Sequence, residues 1–263
     1  MIRVGVFGAG GRMGTTVCQA VCDDPELDLV AAVDPHHVGI EVRQLGIRGG
    51  AIQVARTADA LADAGAEVAV DFTVIDAARD NLAWCAKNGV HAVVGTTGFS
   101  SDDLESAGTA FDASEANAVI VANFAISAVL MVRFAELAAP YFDSVEIIEL
   151  HHDEKIDAPS GTAIDTARRI ADVSDEWAPD PTIKLALEGA RGGSGAGGIP
   201  IHSVRLRGLV AHQEVLFGTT GQTLTIRQDS YDRTSFMPGV VLAVKAIGGK
   251  PGLTVGLDAL LGW

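Results

Sequence analysis

The feature that most constrains the fold is a glycine-rich turn near the start of the chain. Residues 3–7 form a short apolar run, and residues 8–14, GAGGRMG, follow it and open a helical pattern. Gly8 and Gly10 permit a tight turn and close approach of the backbone to a pyrophosphate, and Gly14 lets helix and strand pack closely. The amides and dipole of a helix N-terminus attract phosphates. The context predicts a dinucleotide-binding βαβ unit rather than a glycine turn used only for packing.

An acidic residue stands where such a unit needs one. Asp34 ends the second β-rich run, residues 27–33. At a strand tip its carboxylate can accept hydrogen bonds from ribose hydroxyls, and it repels a 2′-phosphate. Pro35 follows instead of a basic residue, so we expect NADH and/or NADPH as cofactor, with a preference for NADH. Three nearby side chains could soften that preference: Arg12, His36 and His37.

Strands and helices alternate through the first part of the chain. Further β-rich runs cover residues 67–72, 90–94 and 118–122, with helical patterns between them. Alternation of this kind predicts right-handed βαβ units and a parallel sheet. Ligands of such sheets bind outside the carboxyl ends of the strands. We therefore expect the nicotinamide half of the site to be lined by the segments 71–73, 95–98 and 121–124.

The pattern changes after Asn123. A strongly apolar helix is predicted over 126–139, and it is closed by Pro140. Later segments read as strands over 145–150, 201–206, 213–217 and 223–228, as helices over 162–171 and 237–247, and as a short amphipathic tail over 253–261. Consecutive strands joined by short glycine turns suggest an open mixed sheet. The predicted fold class is therefore α/β, a Rossmann-type doubly wound parallel sheet plus a second α+β domain with an open mixed sheet.

Charge and cysteine content exclude several classes of protein. There are 34 acidic and 19 basic side chains, for a net charge of -15. Such a chain repels nucleic acid and anionic membranes, so we expect neither as a partner. The odd, sparse cysteine set lacks a CxxC pair and does not suggest a disulfide scaffold or a zinc knuckle, so Cys18, Cys22 and Cys85 are expected to be buried. The sequence shows no secretory signal pattern and no apolar stretch long enough to span a bilayer. The predicted location of the protein is therefore cytoplasmic.

The segment richest in reactive side chains is residues 149–163, ELHHDEKIDAPSGTA. It lies between a predicted strand and a predicted helix. A histidine can donate a proton near neutral pH, and a lysine supplies a point charge for a carboxylate or a second proton donor. Backbone amides and hydroxyls at the helix start are offered to an anion by Ser160, Gly161 and Thr162. Reduction of a C=N or conjugated imine needs hydride on one side and a proton on the other, and the segment carries suitable donors.

Two alternatives for this segment remain open. His151 and His152 would point to opposite faces of a continuing strand, so at most one of them needs to be catalytic. A metal site is not predicted, because there is no HExxH pattern and no fixed third ligand. The segment could also be a helix N-cap with incidental neighbours. Separately, the glycine-dense stretch 189–200 is either a mobile surface loop or a lid whose Arg191 meets a carboxylate.

Taken together, these motifs resemble the dihydrodipicolinate reductase family. The resemblance runs essentially end to end, through VGVFGAGGRMG at the start, VGTTGF, ANFAISAVLM, ELHHDEKIDAPSGTA and a late segment around Arg233 and Phe236. It implies NAD(P)H-dependent reduction of hydroxy-tetrahydrodipicolinate to tetrahydrodipicolinate with loss of water, in lysine and diaminopimelate biosynthesis. It also implies a homotetramer, a dinucleotide-binding domain over 1–123 and 234–263, and a substrate-binding and oligomerisation domain over 124–233.

The resemblance also assigns expected roles by matched position. His151 would be the proton donor and Lys155 the second catalytic donor. The substrate carboxylates would be held by His152, Ser160, Gly161 and Thr162. The cofactor would be held by Gly8, Ala9, Gly10, Gly11, Arg12, Met13, Asp34, Gly95, Thr96, Thr97, Val121, Ala122, Asn123, Phe124, Arg233 and Phe236.

Two other functions remain possible from the sequence. An aspartate-type amino-acid dehydrogenase shares the two-domain plan, but Lys155 and the segment 159–162 build a dicarboxylate cradle that disfavours it. A non-catalytic NAD-sensing protein would leave His151 and Lys155 unexplained.

Overall fold

The computed structural model describes residues 1–174 and 176–262, and the chain divides into two compact units. Unit 1 comprises Met1–Ala125 and Arg233–Trp263, and unit 2 comprises Ile126–Asp232. The described strands, in chain order, are β1 (Ile2–Phe7), β2 (Leu27–Val33), β3 (Val68–Asp71), β4 (His91–Val94), β5 (Ala118–Ile120), β6 (Ser144–His151), β7 (Gly193–Ser194), β8 (Pro200–Arg205), β9 (Ala211–Thr219), β10 (Gln222–Ser230) and β11 (Leu253–Val255). The described α-helices are α1 (Arg12–Asp23), α2 (Asp59–Asp63), α3 (Ile75–Asn88), α4 (Ser101–Asp112), α5 (Ile126–Ala138), α6 (Gly161–Val173), α7 (Met237–Ala246) and α8 (Asp258–Leu261).

Unit 1 contains a six-stranded parallel sheet in the order β11-β5-β4-β3-β1-β2. Its central strands are apolar almost throughout because a parallel sheet of this kind is covered on both faces, and all four residues of β3 are buried. The strand order reverses between β1 and β3, which are neighbours of each other. A crevice outside the carboxyl ends at such a reversal is the usual ligand site of a doubly wound sheet. The predicted Rossmann-type sheet is confirmed.

One sequence expectation for unit 1 was wrong. The predicted amphipathic tail over 253–261 begins with a strand, Leu253–Val255, that pairs in parallel with β5 as the sixth strand of the sheet. Three residues are too few for strand periodicity to appear in the sequence. Helix α3 ends at Asn88, and Gly89 after it adopts the left-handed conformation (φ 68°) that caps a helix end.

Unit 2 contains a five-stranded mixed sheet in the order β10-β9-β6-β8-β7. The β6–β8 pair is parallel, whereas β6–β9, β9–β10 and β7–β8 are antiparallel. Along β6, Val145, Ile147 and Glu149 alternate with partly exposed or exposed residues, so one face of this strand is buried. The apolar members of that face join residues of α5 and α6 in one core. The open mixed sheet predicted for the second half of the chain is confirmed.

Two of the three free cysteines are fully buried. Cys18 and Cys85 lie in the interior of unit 1, and Cys22, one turn after Cys18 in α1, is half-buried. Burial raises the pKa of the Cys18 thiol to about 12, so it is protonated and unreactive at neutral pH. Of the helices described, none is long and apolar enough to cross a membrane.

Candidate active site

The glycine turn in unit 1 is shaped by steric necessity at two positions. Gly8 adopts a left-handed conformation (φ 69°), which disfavours any residue with a Cβ. A Cβ on Gly14 would overlap the Gly8 carbonyl oxygen, so this position requires glycine for β1 and α1 to approach closely. Gly11 caps α1 from an extended conformation without a side-chain hydrogen bond, which leaves the first-turn amides to bind an anion. The turn therefore fits a dinucleotide pyrophosphate.

Asp34 follows the carboxyl end of β2 and lies against the same turn. Its carboxylate accepts hydrogen bonds from the amides of Gly10 (3.0 Å) and His36 (2.9 Å), and His37 Nδ1 lies 3.1 Å away. Burial acts to raise the pKa of this carboxyl, but the contacts to His36, His37 and Gly10 outweigh burial and hold the pKa below its usual range. Asp34 is thus a fixed negative charge at the tip of β2.

A buried carboxylate organises the next two loops. Asp71 ends β3 with 2% exposure, and it accepts hydrogen bonds from the Thr73 amide (2.8 Å), the Thr73 hydroxyl (2.7 Å) and Asn81 Nδ2 (2.7 Å). Thr96, from the loop after β4, donates its hydroxyl to the Thr73 carbonyl at 3.2 Å. The Phe72 ring occupies the space that a Cβ on Gly95 would need. The segments 71–73 and 95–97 therefore form one connected rim.

The remaining cofactor candidates also belong to unit 1. Phe124 is buried beside Phe72, with ring centroids 5.5 Å apart. Asn123 Oδ1 accepts a hydrogen bond from the Ala125 amide at 2.9 Å, which shapes the turn after β5. Arg233 and Phe236 begin and end a 3-10 helix that leads into α7. Exposure differs among the others: Arg12, Thr97 and Ala122 are exposed, Met13 is half-buried, and Ala9 and Val121 are buried.

In unit 2 the segment 149–163 begins within β6, and His151 is the last residue of that strand. His151 is partly buried and its Nδ1 lies 2.5 Å from Glu149 Oε2. His152 lies outside the strand and is exposed. Lys155 Nζ donates to both carboxylate oxygens of Asp157, at 2.8 Å each. A partly buried histidine and a lysine thus lie within one short stretch of unit 2.

The segment ends in a capped helix N-terminus. Ser160 is the N-cap of α6, and its hydroxyl accepts a hydrogen bond from the Ala163 amide at 3.2 Å. Gly161 and Thr162 are the first two residues of the helix. The helix dipole favours negative charge at this end of α6. The three residues expected to hold a carboxylate therefore lie together at the N-terminus of α6.

Sequence reasoning missed Glu149 and Arg205 as members of this site. Glu149 is fully buried, and Arg205 of β8 donates to both of its oxygens at 2.8 Å. A glutamate two residues before a histidine on one strand shares its face, and that spacing was a usable signal. The Arg205 contact depends on the pairing of His151 with Arg205 between β6 and β8, which the sequence does not reveal.

Arg191 of the glycine-dense stretch pairs with carboxylates of the protein itself. It contacts Glu146 on β6 at 2.5 Å and Asp180 at 3.1 Å. Residues 193–194 of this stretch form β7, which pairs with β8. The stretch is therefore held to the sheet by β7 and by the contact of Arg191 with Glu146. Over residues 1–174 and 176–262 there is no group of His, Cys, Asp and Glu side chains arranged to hold a metal ion.

Fold and site together define a class of protein, a two-unit nucleotide-binding oxidoreductase with a Rossmann-type unit and a mixed-sheet unit. Residues 2–124 match the family model of the dihydrodipicolinate reductase N-terminus, and residues 127–261 match that of the C-terminus. The chain belongs to the dihydrodipicolinate reductase family.

Full-length relatives and solved structures agree with this assignment. The chain is 49% identical to the 4-hydroxy-tetrahydrodipicolinate reductase of Corynebacterium urealyticum, with 100% of this chain and 99% of the relative covered. It is 51% identical to that of Nocardia farcinica, with 99% and 98% covered. A dipicolinate-bound dihydrodipicolinate reductase from Paenisporosarcina sp. TG-14 matches with a TM-score of 0.88 and 41% identity over 98% of this chain and 99% of that one. An amine dehydrogenase from Mycobacterium smegmatis, 16% identical with a TM-score of 0.60 over 98% and 95%, shares the fold alone.

Proposed function

We propose that this chain is the NAD(P)H-dependent reductase that converts 4-hydroxy-tetrahydrodipicolinate to tetrahydrodipicolinate with loss of water, in lysine and diaminopimelate biosynthesis. The observation that carries the proposal is the segment 151–162, which combines a proton donor, a lysine and a capped helix N-terminus. Relatives about half identical over their whole length carry the name of this reductase. A relative with the same fold binds dipicolinate, a planar ring with two carboxylates.

The residues of unit 2 supply what such a substrate needs. When bound, the nicotinamide cofactor supplies the hydride. His151 provides the proton that completes the reduction, and it becomes a neutral imidazole as it does so. Lys155 neutralises one substrate carboxylate, or supplies a second proton-donating group near the ring. His152, Ser160, Gly161 and Thr162 hold the carboxylates at the N-terminus of α6, where the helix dipole favours negative charge.

The residues of unit 1 favour NADH as the cofactor. Asp34 is ionised at neutral pH, since its pKa is lowered. A 2′-phosphate beside it would meet like-charge repulsion, whereas ribose hydroxyls would donate to it. The segments Gly8 to Met13, Gly95 to Thr97 and Val121 to Phe124, with Arg233 and Phe236, complete the proposed cofactor site.

We further propose that unit 2 carries the oligomer contacts of a homotetramer and that the protein works in the cytoplasm. Both rest on the family relationship, and the free cysteines are in keeping with a reducing compartment. Light scattering after gel filtration tests the oligomeric state. A mass of four chains is expected, and a monomer would contradict the proposal.

The substrate class is tested by ligand competition. Dipicolinate, with two carboxylates, and picolinate, with one, differ by a single charge-assisted anchor worth about 1.5–3 kcal/mol. Dipicolinate should therefore compete with substrate at least about tenfold more tightly than picolinate. Equal inhibition by the two compounds would contradict a dicarboxylate site.

A further inference from the structure

We propose that Glu149 is a positioning residue: it fixes the tautomer and orientation of His151 and ties that histidine to the helix N-terminus that receives the substrate carboxylate. The inference rests on the proposed function, in which His151 donates the proton. Glu149 itself touches neither substrate nor cofactor in this account. Its effect on the reaction passes entirely through His151 and Ser160.

Burial and geometry carry the inference. Glu149 is fully buried, yet both of its oxygens are engaged. Oε2 contacts His151 Nδ1 at 2.5 Å and accepts from Arg205 Nη1 at 2.8 Å. Oε1 accepts from Arg205 Nη2 at 2.8 Å and from the Ser160 amide at 3.2 Å. A buried ionised group is tolerated only when it is paired and hydrogen-bonded in this way.

The charges around His151 set its protonation state. Glu149 lies on the same strand, Arg205 comes from β8, and Lys155 with Asp157 follow in the next loop. Burial lowers the pKa of His151 below its usual value, and Glu149 works against that effect. Burial would raise the pKa of Glu149, but hydrogen bonds led by Arg205 keep it below its usual value. Glu149 therefore stays a carboxylate while His151 gains and loses its proton.

This arrangement selects the atom of His151 that acts. A carboxylate against Nδ1 can only accept, so Nδ1 carries a hydrogen and Nε2 is the nitrogen that gains and releases the catalytic proton. Through Oε1, the same carboxylate holds the amide of Ser160, the N-cap of α6. One side chain thus fixes the spacing between the proton donor and the proposed carboxylate cradle.

The same strand provides a matched control. Glu146 lies on the opposite face of β6 and also pairs with an arginine and a histidine: Arg191 at 2.5 Å and His202 at 2.7 Å. Glu146→Gln therefore removes a carboxylate from a second, more exposed Glu–Arg–His cluster without touching His151. It controls for the general cost of losing such a charge from this sheet.

The test compares Glu149→Gln with Glu146→Gln in the full-length protein, first by ¹⁵N NMR of labelled histidines without substrate. In the parent and in Glu146→Gln, His151 should show the Nδ1–H tautomer. In Glu149→Gln its pKa should fall by about one unit, because the opposite charge is lost, and the tautomer should become mixed. A His151 whose tautomer and pKa are the same in all three proteins would overturn the inference. This readout does not depend on turnover.

Kinetics provide the second arm. Glu149→Gln should lower kcat by about 10- to 100-fold, with NADH binding within about twofold of the parent, as expected for a residue that orients a catalytic group. Glu146→Gln should keep kcat within about twofold. A fall of equal size in both variants would reduce Glu149 to a structural role. If the parent protein showed no turnover, the proposed function would be contradicted. The NMR titration would still decide whether Glu149 positions His151.

Loss of Glu149 leaves Arg205 without its carboxylate partner, and the single variant could fail to fold. The double variant Glu149→Gln, Arg205→Gln removes both charges together and is then measured in the same two ways. A double variant that keeps the parent tautomer, pKa and kcat would overturn the inference equally.

Discussion

Lys155 and Asp157 form a pair in which the lysine Nζ donates to both carboxylate oxygens at 2.8 Å. Asp157 is the more exposed partner, whereas the Lys155 side chain is 21% exposed. A substrate carboxylate that binds Lys155, as proposed, would compete with Asp157 for the same ammonium group. Half-exposed ion pairs of this kind are stabilising by roughly 0.2–1 kcal/mol. This is the free energy by which Asp157 can oppose the binding of a substrate carboxylate to Lys155.

The first prediction concerns this competition. Asp157→Asn should lower the KM for substrate by up to about fivefold, because Lys155 no longer has to leave an internal carboxylate. Steady-state kinetics at saturating NADH measure the effect. A KM that rises would show that Asp157 assists binding instead of competing with it.

Lys155 itself should matter to the reaction far more than to the cofactor. Lys155→Ala should lower kcat/KM by about 100-fold or more, since a charge-assisted contact and a donor group are lost together. NADH affinity, measured by fluorescence titration, should remain within about twofold. Lys184→Ala, an exposed lysine of the same unit, is the matched control and should behave as the parent does. Equal turnover in the two variants would contradict the assignment of Lys155 to the reaction.

Gly14 and Gly108 offer a matched pair of helical glycines in unit 1. Gly14→Ala places a Cβ onto the Gly8 carbonyl and should abolish detectable NADH binding. Gly108→Ala places its Cβ 4.0 Å from Leu253 Cδ2 and should stabilise α4 by about 0.5–1 kcal/mol. Thermal unfolding and NADH titration of both variants check this. Retention of NADH binding by Gly14→Ala would contradict the proposed pyrophosphate site.

Cofactor preference should depend on Asp34. Asp34→Asn removes the like-charge repulsion toward a 2′-phosphate and should raise the ratio of NADPH to NADH kcat/KM by about tenfold or more. Asp28→Asn makes the same change near the other end of β2 and should leave the ratio unchanged. A ratio that stays constant in Asp34→Asn would mean that the preference arises elsewhere.

The pH profile follows from His151. Its pKa is lowered from 6.5 by burial, and only the protonated form can give a proton. Hence kcat/KM should be highest below that lowered pKa and should fall about tenfold per pH unit above it. His202→Asn, on the opposite face of the sheet, is the control and should show the same fall of kcat/KM with rising pH. A flat profile between about pH 6 and 8 would contradict the assignment of His151 as the acid.

Local sequence determined what could be predicted. The glycine turn, Asp34 and the segment 149–163 each carry their signal within a few residues, so the unit-1 sheet and the positions of His151 and Ser160 relative to their elements could be inferred. Glu149 and Arg205 are 56 residues apart in sequence, and their contact depends on the register of two parallel strands. Register is set by packing of the whole unit, which no local pattern encodes.

Asp71 illustrates a second limit. Its place at the end of β3 was predicted, but its role as the acceptor for Thr73 and Asn81 was not, because the partners come from the following loop and α3. Polar residues at strand ends look alike in sequence, whether they face a ligand or organise a loop. Only the structure separates Asp71, which holds Thr73 and Asn81, from Asp34, which accepts the Gly10 amide of the glycine turn.

The most direct test of the central claim is turnover of the proposed substrate. 4-Hydroxy-tetrahydrodipicolinate would be generated in the cuvette from pyruvate and aspartate semialdehyde by a coupled synthase, and oxidation of NADH and of NADPH would be followed separately. Oxidation that depends on the synthase, with NADH the faster cofactor, is the predicted result. NADH binding without synthase-dependent oxidation would contradict the assignment.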